Sequence, residues 1–86
     1  MTWEVRISHK AIQYLSKIEK KRINLILQIL NDFRDNPFIG DIKVIKGRKG
    51  TYRRRVGSYR IIYSIDYEYY LVKILRIGTR GDIYKK

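Results

Sequence analysis

Residues 51–77 dictate most of what this chain can fold into. Thr51–Val56, Tyr59–Asp66 and Tyr69–Ile77 are rich in β-branched and aromatic residues, and only short breaks separate them. Gly57-Ser58 suits a two-residue type II′ turn, and Asp66-Tyr67-Glu68 a second, longer one. Strands joined so tightly pair antiparallel, and the resulting sheet needs a cover on one face.

The N-terminal part supplies that cover. Thr2–Ile7 alternates, with Trp3, Val5 and Ile7 on one face, which predicts a first strand. Ser8 is placed to cap a helix in which Ala11, Tyr14, Leu15 and Ile18 form one stripe. The basic run Lys20-Lys21-Arg22 is expected to turn the chain into a second helix. There Ile23, Ile26, Leu27, Leu30 and Phe33 share a face, and Leu25 and Ile29 widen it beyond the roughly 100° one packing partner requires. Either that helix packs on both the sheet and the first helix, or part of the arc is left for a protein partner. Asn36-Pro37 ends it. Residues 37–50 read as a basic loop punctuated by Gly40, Gly47 and Gly50, with a short extended piece at Ile42–Ile45. The expectation is one α+β domain over residues 1–86, in the order β-α-α-β-β-β, with both helices on one face of a mostly antiparallel sheet.

Composition removes several function classes. At 86 residues the chain supports a single small core. With no cysteine and His9 as the single histidine, neither a disulfide scaffold nor the usual zinc ligand sets can form, and no metal or cofactor is expected. Apolar runs fall short of a membrane span and no signal peptide opens the chain, so the default compartment is the cytoplasm and no membrane partner is expected.

Charge adds a direction. The net charge is +12, from 20 Lys+Arg against 8 Asp+Glu. Residues 1–41 hold 7 basic and 5 acidic side chains, whereas residues 42–86 hold 13 and 3, a net of +10. A colloidal charge works from any surface position, so this concentration points to a polyanion-facing surface, nucleic acid first. With Gly57 and Ser58 as the turn, Arg55 faces Arg60, Arg54 faces Ile61 and Arg53 faces Ile62. Arg53, Arg55 and Arg60 then share one side of the sheet, and Val56, Tyr59, Ile61 and Tyr63 the helix-covered side. Like charges directly opposite cost roughly 0.2–1 kcal/mol, so the pattern expects an anion between the arginines.

At these residues the sequence resembles the RelE/ParE superfamily of toxin–antitoxin toxins, and its RelE branch in particular. The resemblance is carried by Ile45-Lys46-Gly47, by Tyr52-Arg53-Arg54-Arg55-Val56-Gly57-Ser58-Tyr59-Arg60-Ile61-Ile62-Tyr63, and by Leu75-Arg76-Ile77-Gly78-Thr79-Arg80 with Ile83-Tyr84. It implies a ribosome-dependent endoribonuclease that cuts mRNA in the decoding site by metal-independent attack of a 2′-hydroxyl. It also implies an antitoxin partner, which charge suggests is a short acidic, amphipathic segment. The catalytic positions carry over to Arg53, Arg55, Arg60, Arg80 and Tyr84. Arg60 and Arg80 would stabilise charge on the non-bridging oxygens, and Tyr84 would stack on a base or act as general acid. Lys46, Arg48, Lys49, Arg54, Arg76, Lys85 and Lys86 would add RNA contacts.

The sequence departs from the family pattern in three places. Relatives often carry lysine at one or both positions held here by Arg53 and Arg55, and arginine stays protonated and is a poor base. Arg54 stands where many relatives have an apolar residue. Thr79 occupies a position often held by histidine, and His9 reads as a surface residue. The general base is therefore unassigned. Two further readings compete: a ParE-like inhibitor of DNA gyrase without nuclease activity, and a non-catalytic RNA-binding module. An inhibitor has no need of converging arginines, which favours the nuclease.

Overall fold

The computed structural model describes residues 2–79. The chain runs β1 (Glu4–Ile7), α1 (His9–Leu15), α2 (Lys20–Asp35), β2 (Ile42–Val44), β3 (Thr51–Val56), β4 (Tyr59–Asp66) and β5 (Leu71–Thr79). The strands form one five-stranded sheet in the order β1-β5-β4-β3-β2. The helices carry the chain from one edge to the other, and the meander brings it back until β5 lies parallel to β1. The expected α+β class holds, with one strand more than expected: the extended piece at Ile42–Val44 pairs antiparallel with β3 as an edge.

Local chemistry explains the starts and stops. The Ser8 hydroxyl oxygen accepts from the Ala11 N–H at 3.1 Å and donates to the Leu75 carbonyl at 2.8 Å, so one side chain caps α1 and ties it to β5. Lys20-Lys21-Arg22 is not the turn between the helices but the first turn of α2, and the chain bends before it, over residues 16–19. Cations are unfavourable at a helix N-terminus, so α2 owes its place to its buried face. β5 begins at Leu71 rather than Tyr69, because the Asp66 carboxylate accepts from the Glu68 and Tyr69 N–H groups at 3.0 and 3.3 Å. Tyr70 then takes a left-handed φ of 50° before the strand begins.

The core lies between the helices and one sheet face. Ala11, Ile26, Ile29, Leu30 and Phe33 pack with Tyr59, Ile61, Tyr63, Ile65, Val72, Ile74 and Ile77. The buried stripe of α2 is thus Ile26, Ile29, Leu30 and Phe33. Leu27, expected on that face, is 45% exposed, and Leu25 is exposed as well. A helix advances about 100° per residue, so a stripe centred on Ile26, Ile29, Leu30 and Phe33 leaves Leu27 at its margin. No helix among the described residues is long and apolar enough to cross a membrane.

The β4–β5 ladder contains one irregularity. Ile62 pairs with Arg76, but Tyr63 pairs with Ile74, so Leu75 is an extra residue in β5. This bulge flips the alternation: Val72 and Ile74 point to the core, and so does Ile77. Arg76 consequently falls on the opposite, open face.

A candidate nucleic-acid interface on the open sheet face

The β3–β4 register is the one the turn dictates. Arg55 pairs with Arg60, Arg54 with Ile61, Arg53 with Ile62 and Val56 with Tyr59. Gly57 has φ +58° and Ser58 is not left-handed, as a type II′ turn requires. On the other side of β4, Gly78 stands opposite Arg60 and Arg76 opposite Ile62. Directly opposed residues share a face, so Arg53, Arg55, Arg60 and Arg76 converge on the side away from the helices. In their midst Ile62 is only 6% exposed although no helix covers it. It lies between Arg53 and Arg76 in the ladder, and arginine stems characteristically cover apolar surface in this way. Lys43, opposite Arg53, and Lys73, opposite Ser64, extend the same basic face.

The chain itself supplies one anion to this face, against Arg55 and Arg53. Arg55 Nε donates to Asp41 Oδ2 at 2.6 Å, and Arg53 Nη2 lies 3.5 Å from Asp41 Oδ1. The hydrogen bond from Arg55 holds the Asp41 carboxyl below its usual range. Partial burial opposes this, while the charges of Arg55, Arg53 and Lys43 reinforce it. Among the described residues nothing pairs with Arg60. The opposed arginines thus differ: Arg55 is compensated, Arg60 is not. Asp41 was missed in the sequence, although it is the only acidic residue between Asp35 and Asp66.

Arg54, grouped with the RNA-contacting residues from sequence, lies on the other face. It lines a cavity of about 240 Å³ with Ile29, Asp32, Phe33, Asp35, Asn36 and Ile39. Its Nη1 donates to the Arg55 carbonyl at 2.5 Å, and its buried Nε has no hydrogen-bond partner. The guanidinium lies so close over Gly40 (φ +117°) that a Cβ there would come within 2.4 Å of it. Strand parity, not charge, decides this placement: Arg54 alternates with Arg53 and Arg55.

The other expected residues are dispersed. Lys46, Arg48 and Lys49 are exposed in the loop between β2 and β3, at the end of β3 away from Arg55. Lys46 shares a shallow depression with Lys43 and Arg53, which links this loop to the open face. His9 is exposed at the start of α1, as read from sequence. Arg80, Tyr84, Lys85 and Lys86 lie outside the described residues.

This chain sets two helices on one face of a five-stranded sheet and arginines on the other, and its fold is shared by small RelE-type toxins. A profile described as ParE toxin of type II toxin-antitoxin system, parDE, matches residues 5–84, and the chain belongs to that superfamily of type II toxins. Its relatives carry RelE-type names. The chain is 30% identical to Toxin RelG of Mycobacterium tuberculosis over 87 aligned positions that cover 100% of both proteins. Among solved structures it is similar to a chain of the archaeal RelE-RelB complex from Pyrococcus horikoshii OT3, with TM-score 0.83 and 28% identity, covering 94% of this chain and 98% of that one. It is also similar to a chain of the toxin-antitoxin complex RelBE2 from Mycobacterium tuberculosis, with TM-score 0.81 and 28% identity over 93% of this chain and 100% of that one.

Proposed function

We propose that this toxin is a ribosome-dependent endoribonuclease that cuts mRNA in the decoding site without a metal. The observation that carries this reading is the convergence of Arg53, Arg55, Arg60 and Arg76 on a sheet face free of helices. In the reaction the 2′-oxygen bonds to the adjacent phosphorus and the bond to the 5′-oxygen breaks. The 2′-hydroxyl gives up a proton and the leaving oxygen gains one, producing a 2′,3′-cyclic phosphate and a 5′-hydroxyl. Negative charge grows on the non-bridging oxygens, where fixed guanidinium groups are worth most. Arg60 is the natural first contact, being uncompensated among the described residues. Arg80 would assist it, and Tyr84 would stack on a base or protonate the leaving oxygen. Lys43, Lys46 and Lys73 would hold flanking phosphates without reading bases.

An antitoxin partner follows from the same reading, since these two solved relatives are chains of toxin–antitoxin complexes. A short acidic, amphipathic segment suits the basic surface and the exposed Leu25 and Leu27 on α2.

In vitro translation with the purified protein, with mRNA ends mapped by primer extension, tests the proposal. Cuts in codon register only when ribosomes are present, with cyclic-phosphate ends, are expected. Intact mRNA together with inhibition of DNA gyrase would replace this reading with the ParE-like one.

A further inference from the structure

Asp41 meets the arginine face through a contact the fold builds from several directions. The Arg55 N–H donates to the Asp41 carbonyl at 2.9 Å, so backbone as well as side chain ties the two residues. Upstream, the buried Tyr63 hydroxyl donates to the Pro37 carbonyl at 2.8 Å, and the Phe38 N–H donates to Asn36 Oδ1 at 2.9 Å. The loop that delivers Asp41 is thereby fastened to the core. The carboxylate takes Arg55 by Nε and leaves both terminal nitrogens of that guanidinium to donate elsewhere.

We infer that Asp41 is a positioning residue: it holds Arg53 and Arg55 in place so that the terminal nitrogens of Arg55 meet an RNA phosphate beside Arg60. This rests on the proposed ribonuclease activity. A guanidinium on a free stem must be ordered when RNA arrives, whereas a held one is ordered beforehand. The same carboxylate removes one positive charge from the face, which weakens general attraction to RNA. Losing Asp41 therefore moves binding and rate in opposite directions. A purely structural role would lower both or neither.

The test compares wild type with Asp41→Asn and Asp41→Glu in three measurements. These are ribosome-dependent mRNA cleavage, binding to a fluorescent single-stranded RNA oligonucleotide, and the heteronuclear NOE of the Arg55 Nε–H. Asp41→Asn should bind the oligonucleotide at least as tightly as wild type. It should cleave on the order of tenfold more slowly at saturating ribosomes and lose the restricted Arg55 signal, with Asp41→Glu recovering part of both. Wild-type cleavage by Asp41→Asn overturns the inference. So does a joint loss of cleavage, RNA binding and melting temperature, which marks a folding defect. If wild type itself leaves mRNA intact, the ribonuclease reading fails separately and the NOE decides. Equal Arg55 mobility in wild type and Asp41→Asn then overturns the positioning role, and restriction lost in Asp41→Asn sustains it.

Discussion

Arg60 stands directly opposite Arg55 in the β3–β4 ladder, and among the described residues only Arg55 of the two has a carboxylate against it. Removing Arg60 relieves a like-charge opposition worth roughly 0.2–1 kcal/mol and orphans no partner among the described residues. Removing Arg55 strips Asp41 of its hydrogen-bond donor. Arg60→Ala should therefore keep or slightly raise the melting temperature while growth inhibition on expression disappears. Arg55→Ala should lower the melting temperature as well. Full toxicity of Arg60→Ala would remove that residue from the site.

Tyr63 reaches across the core to the Pro37 carbonyl, and burial pushes its hydroxyl above the usual tyrosine range, so it stays a donor through neutral pH. Tyr63→Phe leaves that carbonyl unpaired in the interior, at a cost of about 1–3 kcal/mol measurable by urea denaturation. A change much smaller than this would mean that water replaces the hydroxyl.

Ile61 has no exposed surface and faces the helices one residue from Arg60 and Ile62, which face away from them. Ile61→Ala should cost about 2–5 kcal/mol through lost transfer energy and a residual cavity. RNA affinity of the folded fraction should not change. A drop in affinity without a drop in stability would contradict the division between the two faces.

The Asp41 carboxyl titrates low, chiefly because Arg55 donates a hydrogen bond to its charged form. A group whose pKa is lowered on folding stabilises the fold above its unfolded value and loses that contribution as pH falls through the folded one. The stability difference between wild type and Asp41→Asn should thus be constant from neutral pH into mild acid. It should close only below the ordinary carboxylate range. Urea titrations from about pH 7 to about pH 2 check this, and a difference that closes near neutrality would assign the effect to another group.

Gly40 adopts φ +117° beneath the Arg54 guanidinium. Gly40→Ala should destabilise by about 1–3 kcal/mol through backbone strain, with most of the cost retained in an Arg54→Ala background because φ, not the flexible guanidinium, is the obstacle. Loss of the whole penalty in that background would make the steric contact the cause instead.

What could be read from the sequence followed where geometry leaves no freedom. A two-residue turn at Gly57-Ser58 admits one register, so the Arg55/Arg60 opposition and the helix-covered Ile61 and Tyr63 were legible from period-two alternation alone. The extra residue at Leu75 leaves no mark in a run of strand-forming residues, so the facing of Arg76 was not legible. Nor was the Asp41 pairing, because the path from Pro37 to β2 depends on the φ of Gly40 and on which way Arg54 turns. The Leu27 misplacement has a simpler cause: an arc wider than its packing partner has more than one possible centre.

The bulge in β5 makes that strand tolerant of exchange and sets which change in length it can accept. Val72, Ile74 and Ile77 can each give way to another apolar residue of similar volume, and Arg76 to another cation, without altering which side each serves. Deleting Leu75 itself would leave Ile74, Arg76, Ile77 and Gly78 in strict alternation opposite their present partners, so each facing would survive. With every residue kept, taking Leu75 into the ladder while Val72 and Ile74 hold their places would drive Arg76 beneath the helices, turn Ile77 to water and move Gly78 from its station beside Arg60. Among chains of this fold that use the face in the same way, loss of the bulge should go together with loss of the one residue between Ile74 and Arg76.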